Sequence, residues 1–430
     1  MKVLMFGWEF PPHITGGLGT ACEGIVKGLA HNGVDVLFVM PAASGDEDQS
    51  CATILNASDV PIENVSSSVE EFIDKVKFLS VDSNLVPYVD PEEYFTAIEE
   101  MKKKAESETT VGFGQKFKFS GRYGGNLLEE VSRYAQVGGT IALQHKGEFD
   151  VIHAHDWLTY PAGIAAKELT GKPLVIHVHA TSFDRGTDDM VDSRVYAIEK
   201  RGMEVADRVV TVSDLTRNIV INKYGISPEK VITVHNAVDF SGRDNLQVDR
   251  GVKDKVVTFL GRITFQKGPE YFIEAAAKVL KRTKNVRFVM AGSGDMMNRA
   301  IRQVARLGIS DRFHFTGFLK GQEVQKMFAL SDVYIMPSVS EPFGISPLEA
   351  MRSNVPTIIS HQSGAAEVLK YALKVDFWDV DAMADDIYAL LQYPALADFA
   401  TKQGFDEVNE LKWNNATAKL KKVYESVVKQ

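Results

Sequence analysis

Lys2-Val3-Leu4-Met5-Phe6 is an apolar run behind a single lysine, and its spacing from the next two segments decides the fold. Residues 18–31 place Ile25, Leu29 and Ala30 on one helical face, and 34–40 is a second apolar run. Short apolar runs without polar alternation suit strands buried on both faces. A helix between two such strands is a β-α-β unit, which implies a parallel sheet with helices on both sides.

The same rhythm extends through most of the chain. It predicts strands at 151–154, 173–179, 208–212 and 231–235, with helices at 157–169 and 194–206. Residues 43–147 are less regular, with a charged helical stretch at 91–104 and a Gly- and aromatic-rich segment at 112–125. They are expected to elaborate the first domain. The polar, glycine-containing stretch 239–254 marks a boundary, beyond which a second series begins. Strands are expected at 256–260, 286–291, 313–315 and 333–336, and helices at 269–281, 296–307 and 322–329. The fold class is α/β: two Rossmann-like doubly wound domains, 1–240 and 241–410, with a cleft between them. The last helix, 414–428, carries an apolar stripe at Leu420, Val423, Tyr424 and Val427 that suits packing of segment 411–430 back on the first domain.

Composition limits the function classes. The chain has 430 residues, 45% hydrophobic and 24% charged, which excludes wholesale disorder and fits two domains. A formal net charge of −9 gives no global attraction to nucleic acid or an anionic membrane. No apolar run approaches the roughly 18 residues of a membrane span. Two cysteines, Cys22 and Cys51, cannot form a disulfide framework, so a reduced, cytoplasmic setting is expected.

Ligands of open parallel sheets gather beyond the carboxyl ends of the strands. After the first strand, Gly16-Gly17-Leu18-Gly19 opens a helix whose amides suit an anion. The loop is too long for a dinucleotide fingerprint, and Cys22 stands where its third glycine belongs. His155 and Asp156 come just after the strand at 151–154, and Asp156 also suits a helix N-cap. His153 and His155 share one strand face, as do His177 and His179. After the strand at 256–260, Arg262 and Lys267 lie on a loop aimed at a helix opened by Pro269, an arrangement suited to a diphosphate. The stretch Ser338-Val339-Ser340-Glu341-Pro342-Phe343-Gly344-Ile345-Ser346-Pro347-Leu348-Glu349-Ala350-Met351 places Glu341 in a loop, where it has no structural duty. Ser346 and Glu349 have capping-box spacing, and the amides of Gly344, Ile345 and Ser346 suit an anionic or hydroxyl group. Residues 363–367 open another helix that borders the same cleft. Asp379-Val380-Asp381 has the D-x-D form of some metal-dependent transferases, but Asp381 reads better as a helix cap, so no metal is assigned.

Together these residues resemble the retaining GT-B glycosyltransferases, the group that includes glycogen and starch synthases and sucrose synthases. The resemblance spans nearly the whole chain. It rests on Glu341 and Glu349 as an E-x7-E pair, on Arg262 and Lys267 as Gly-Arg-x4-Lys, and on the loop Trp8 to Gly19. It implies a nucleotide-sugar donor carrying ADP or UDP, a glycan acceptor such as an α-glucan, and no cofactor. By resemblance, Arg262 and Lys267 neutralise the diphosphate, Glu341 binds sugar hydroxyls and Glu349 the ribose. Gly16 and Gly17 offer amides to the phosphate, and His179 and Asp156 lie near the transferring sugar. Glycogen synthases usually carry Lys where this chain has Ile14, and Asn where it has Ala180. Gly121-Arg122-Tyr123-Gly124, with Phe113, Phe117 and Phe119, is similar to that branch and offers aromatics for glucan stacking or for the core. The competing readings are a nucleotide-sugar epimerase and an inactive glycan-binding scaffold.

Overall fold

The apolar runs form two separate parallel sheets in the computed structural model, which describes residues 1–13, 17–61, 116–121, 127–186, 191–238, 248, 251 and 253–428. Gly16, Phe113, Arg122, Tyr123, Gly124, the stretch 91–104 and most of 239–254 lie outside the described residues.

The first domain contains β1 (Lys2–Phe6), α1 (Gly17–His31), β2 (Asp35–Met40), β3 (Thr53–Asn56), α2 (Leu127–Gln144), β4 (Val151–His155), α3 (Tyr160–Thr170), β5 (Leu174–Val178), α4 (Ser193–Val205), β6 (Arg208–Thr211), α5 (Asp214–Tyr224) and β7 (Val231–Thr233). The sheet order is β3-β2-β1-β4-β5-β6-β7, with every pairing parallel. β4 and β5 are buried at every position, as strands covered on both faces must be. Even-numbered residues of β4 and β5, such as Ile152, Ala154 and Ile176, face α2, α3 and α4. Odd-numbered residues, such as Val151 and Val175, face α1. One expectation needs correction here. The stretch 43–147 is more than an elaboration, because β3 extends the sheet and α2 buries Val131, Tyr134, Val137 and Ile141 in its core. The segment after β6, for which no element is expected, is a helix, α5, capped by the Ser213 side chain and closed by Gly225 at φ 71°.

The second domain continues with β8 (Lys255–Leu260), α6 (Pro269–Arg282), β9 (Val286–Ala291), α7 (Met297–Arg306), β10 (Phe313–Gly317), α8 (Gln322–Leu330), β11 (Val333–Met336), α9 (Ser346–Arg352), β12 (Thr357–Ser360), α10 (Ala365–Val368), β13 (Leu373–Val375), α11 (Val380–Gln392), α12 (Pro394–Glu410) and α13 (Trp413–Val428). Its sheet order, β10-β9-β8-β11-β12-β13, is the doubly wound arrangement in which direction reverses between β8 and β11. In the first sheet the reversal lies between β1 and β4.

The last helix returns to the first domain, as its apolar stripe predicts. Trp413, Leu420, Val423, Tyr424 and Val427 of α13 are each at most 7% exposed and join the cluster containing α1, Val3 and Met5. Burying five such side chains contributes on the order of 10 kcal/mol before ordering entropy. The approach requires glycine at position 24, where a Cβ would lie 2.1 Å from the Trp413 ring. Asn32 fixes the register by donating to Asn414 O and Thr417 Oγ1, both at 2.9 Å.

Candidate active site

The two motif loops of the second domain sit at its switch point, after β8 and β11. They are fastened together: the Val339 N–H donates to the Gln266 carbonyl at 2.8 Å. Gly268 stands at φ 64°, and a Cβ there would lie 2.1 Å from Pro337 O, so only glycine lets the loops meet. Lys267 and Glu341 form an ion pair across this junction, with side-chain exposures of 19% and 9%. Ser338 Oγ donates to the same carboxylate oxygen at 3.4 Å. Arg262, on the rim of the β8 loop, is exposed. Lys267 and Glu341 are therefore brought together, while Arg262 lies exposed on the same β8 loop.

The Glu341 loop leads directly into α9. The predicted capping box does not form: Ile345 is the N-cap, and Ser346 is already helical. The Ser346 hydroxyl instead receives the Tyr334 OH at 2.8 Å. Glu349 sits half-buried in the first turn of α9, and Gly344 is buried in the loop before it. Ile345 packs against the cores of both domains.

In the first domain, Gly17 begins α1 and is exposed. The buried Glu9 carboxylate accepts the Gly19 N–H at 3.2 Å, so part of the helix N-terminus already holds an anion. Asp156 is not the expected N-cap; α3 begins later, with Thr159 in that place. Asp156 adopts φ 58°, and its Oδ1 accepts the His179 N–H at 2.7 Å and the Ala180 N–H at 3.3 Å. It thus bridges the carboxyl ends of β4 and β5. Burial pushes the Asp156 carboxyl up to about 7, against the Arg185 guanidinium and the two amide donors. Burial pulls the half-buried His179 down to about 3, which leaves its imidazole neutral.

The domains touch through this region. Ser340, beside Glu341, donates to Asp184 Oδ1 at 2.7 Å, and Asp184 ends the loop that starts at His179. Glu367, from the segment expected to border the cleft, accepts the N–H groups of Asp214 and Leu215 at 2.8 and 2.7 Å and meets His235 Nε2 at 2.7 Å. Residues after β5 and after β11 therefore line one interdomain cleft.

Residues 2–234 match the family model of the starch synthase catalytic domain, and residues 243–405 match that of the group 1 glycosyl transferases. The chain belongs to the glycosyltransferases of these families. It is 28% identical to an uncharacterized glycosyltransferase of Methanocaldococcus jannaschii, over 99% of this chain and 98% of that one. It is 22% identical to a glycogen synthase of Mycobacterium tuberculosis, over 99% and 94%. The crystal structure of a sucrose-phosphate synthase from Thermosynechococcus elongatus superposes with a TM-score of 0.72 at 16% identity, covering 99% of this chain and 98% of that one. The fold is GT-B.

In this glycosyltransferase several site residues carry no legible signal in the sequence. Asp184 has the Thr181-x-x-Asp184 spacing of a capping box, which does form, but its second oxygen reaches Ser340 across the cleft. Burial raises the carboxyls of Asp156, Asp184 and Glu199, and the charge of the exposed Arg185 opposes that rise. The D-x-D carboxylates are engaged elsewhere: Asp379, not Asp381, caps α11, while Asp381 pairs with Lys278 at 2.5 Å. Phe119 is 5% exposed and packs edge-on against Tyr134, and Arg133 lies 4.7 Å over the Phe117 ring. Phe119 is thus a core residue and not a platform for glucan. Among the described residues no helix is long and apolar enough to cross a membrane.

Proposed function

We propose that this glycosyltransferase moves glucose from a nucleoside diphosphate donor, ADP- or UDP-linked, to an α-glucan acceptor with retention of anomeric configuration. The supporting observation is the meeting of Lys267 and Glu341 at the β8/β11 switch point, with Arg262 on the same loop as Lys267 and Ser340 bonded to Asp184 across the cleft.

In this reading the donor diphosphate lies between Arg262 and Lys267. Charge accumulates on the departing phosphate as the sugar becomes oxocarbenium-like, and the two cations stabilise that charge. Glu341 exchanges part of its bond to Lys267 for the sugar hydroxyls, and Glu349 takes the ribose hydroxyls. Gly16 and Gly17 contact the phosphate from the facing domain. The amides of Gly344, Ile345 and Ser346 meet the donor at the start of α9. His179, oriented by Asp156 through its backbone N–H, borders the reacting carbon. The ion pair with Lys267 supports reading Glu341 as a donor-binding group and not as one of a glycosidase pair.

The test is a donor-by-acceptor panel of UDP-glucose and ADP-glucose with maltooligosaccharides, read by nucleoside diphosphate release and by NMR of the product linkage. An α-linked, lengthened glucan is the expected product. Arg262→Ala is expected to lower kcat about 10²- to 10³-fold without unfolding the chain. A sugar epimerised without acceptor, or unchanged turnover in Arg262→Ala, rejects the assignment.

A further inference from the structure

The first sheet contains a second cluster, outside the residues placed against the donor. His153 and His155 of β4 and His177 of β5 project from the same sheet face as Val151 and Val175, into the apolar layer under α1 and α13. His155 and His177 are direct neighbours in register. His153, His155 and His177 are at most 1% exposed. Packing does not explain three imidazoles in such a layer. Four of their nitrogens, His153 Nε2, His155 Nε2 and both of His177, have no hydrogen-bond partner. Buried polar atoms are nearly always paired, so four orphans at one point call for a partner.

We propose that His153, His155 and His177 bind a divalent transition-metal ion, with zinc as the first candidate. One ring nitrogen from each of the three residues lies within 4.8 Å of the others. Zinc–nitrogen bonds of about 2.0–2.1 Å need tetrahedral donors about 3.4 Å apart, so modest ring rotations close the site. Three histidines are the donor set that holds zinc in carbonic anhydrase. The outer partners fit as well. His153 Nδ1 meets the Tyr424 OH at 2.7 Å, and His155 Nδ1 meets His179 Nε2 at 2.9 Å. Each leaves the ε nitrogen of its ring for the metal, the usual division of labour around a ligating histidine. Through His155 the ion would set the orientation of His179, a positioning role at the edge of the donor cleft.

The experiment uses the full chain without a polyhistidine tag. Metal content is measured by mass spectrometry, then the protein is stripped with a chelator and titrated with Co²⁺ alone. About one equivalent of bound metal, and tetrahedral Co²⁺ absorption in the wild type, are expected. Both are expected to vanish in His177→Asn with its circular dichroism unchanged. His235→Asn, in the exposed cluster of Asp214, His235 and Glu367, is expected to keep them. Absence of metal and of a Co²⁺ spectrum in the wild type overturns the proposal, and this needs no folded variant. So does metal that survives His177→Asn and disappears in His235→Asn. No arm depends on transferase turnover, so the outcome is independent of the donor assignment.

Discussion

Lys267 and Glu341 allow fold and chemistry to be separated in one experiment. Their ion pair is mostly shielded, at 19% and 9% side-chain exposure. Removing one partner of a fully buried pair costs about 3–5 kcal/mol, because the other charge is left unpaired. An exposed pair is worth about 0.2–1 kcal/mol. The partial exposure of Lys267 places this pair between those limits, at about 2–3 kcal/mol. Lys267→Met leaves the Glu341 carboxylate with Ser338 Oγ, a weak donor at 3.4 Å, in place of a cation. Glu341→Gln leaves an ammonium facing a neutral amide. Each single variant is expected to lose about 2–3 kcal/mol, and the double variant about the same as one single, a coupling near 2 kcal/mol. All three are expected to lose about 10²- to 10³-fold in kcat, since stability is recovered without restoring the cation or the carboxylate. The assay is calorimetric melting of the four proteins alongside nucleoside diphosphate release. A two-domain chain need not melt in one step, so the comparison rests on the transition that moves. Additive stability losses together with a double variant that turns over normally would refute the reasoning.

Three further outcomes rest on the same contacts. Ser340→Ala removes the 2.7 Å bond to Asp184, worth about 1.5–3 kcal/mol to a charged acceptor, and is expected to raise the donor KM about tenfold with kcat little changed, measured by initial rates. Leu420→Ala, at a side chain 1% exposed between α13 and the first domain, is expected to cost about 2–5 kcal/mol, read as a drop in melting temperature. Glu199 has its carboxyl pushed up, chiefly by burial. A folded-state value above the unfolded one means this group favours the folded state most at low pH and loses that contribution as pH rises from about 4.3 through the raised value. Relative to wild type, Glu199→Gln is therefore expected to gain stability as pH increases over that window, measured by urea denaturation at several pH values.

The legible and illegible parts of this chain divide along physical lines. Strands such as Lys2–Phe6, buried from Val3 onward, and Val333–Met336 were legible because a strand buried on both faces is apolar along nearly its whole length. The cations and Glu341 were legible because doubly wound sheets place ligands just beyond strand ends, so position along the chain maps onto the cleft. Helix α5 was not, because Asn218-Ile219-Val220-Ile221-Asn222 is rich in β-branched residues and tertiary packing overrides its weak propensity. Capping was misjudged at Asp156, Ser346 and Asp381, where a polar residue near a helix start had another partner nearby. The cross-domain bonds, Ser340 to Asp184 and Glu367 to α5, join residues 156 and 153 positions apart and leave no local pattern. The pairing of His153 and His155 on one face was readable from the period of two. Their unsatisfied nitrogens emerge only when β5 is laid beside β4.

A crystal structure with a bound nucleoside diphosphate glucose tests the donor site most directly. The diphosphate oxygens are expected within about 2.7–3.2 Å of both the Arg262 guanidinium and Lys267 Nζ, with the sugar turned toward Glu341 and His179. A diphosphate bound elsewhere, touching neither Arg262 nor Lys267, would contradict the assignment.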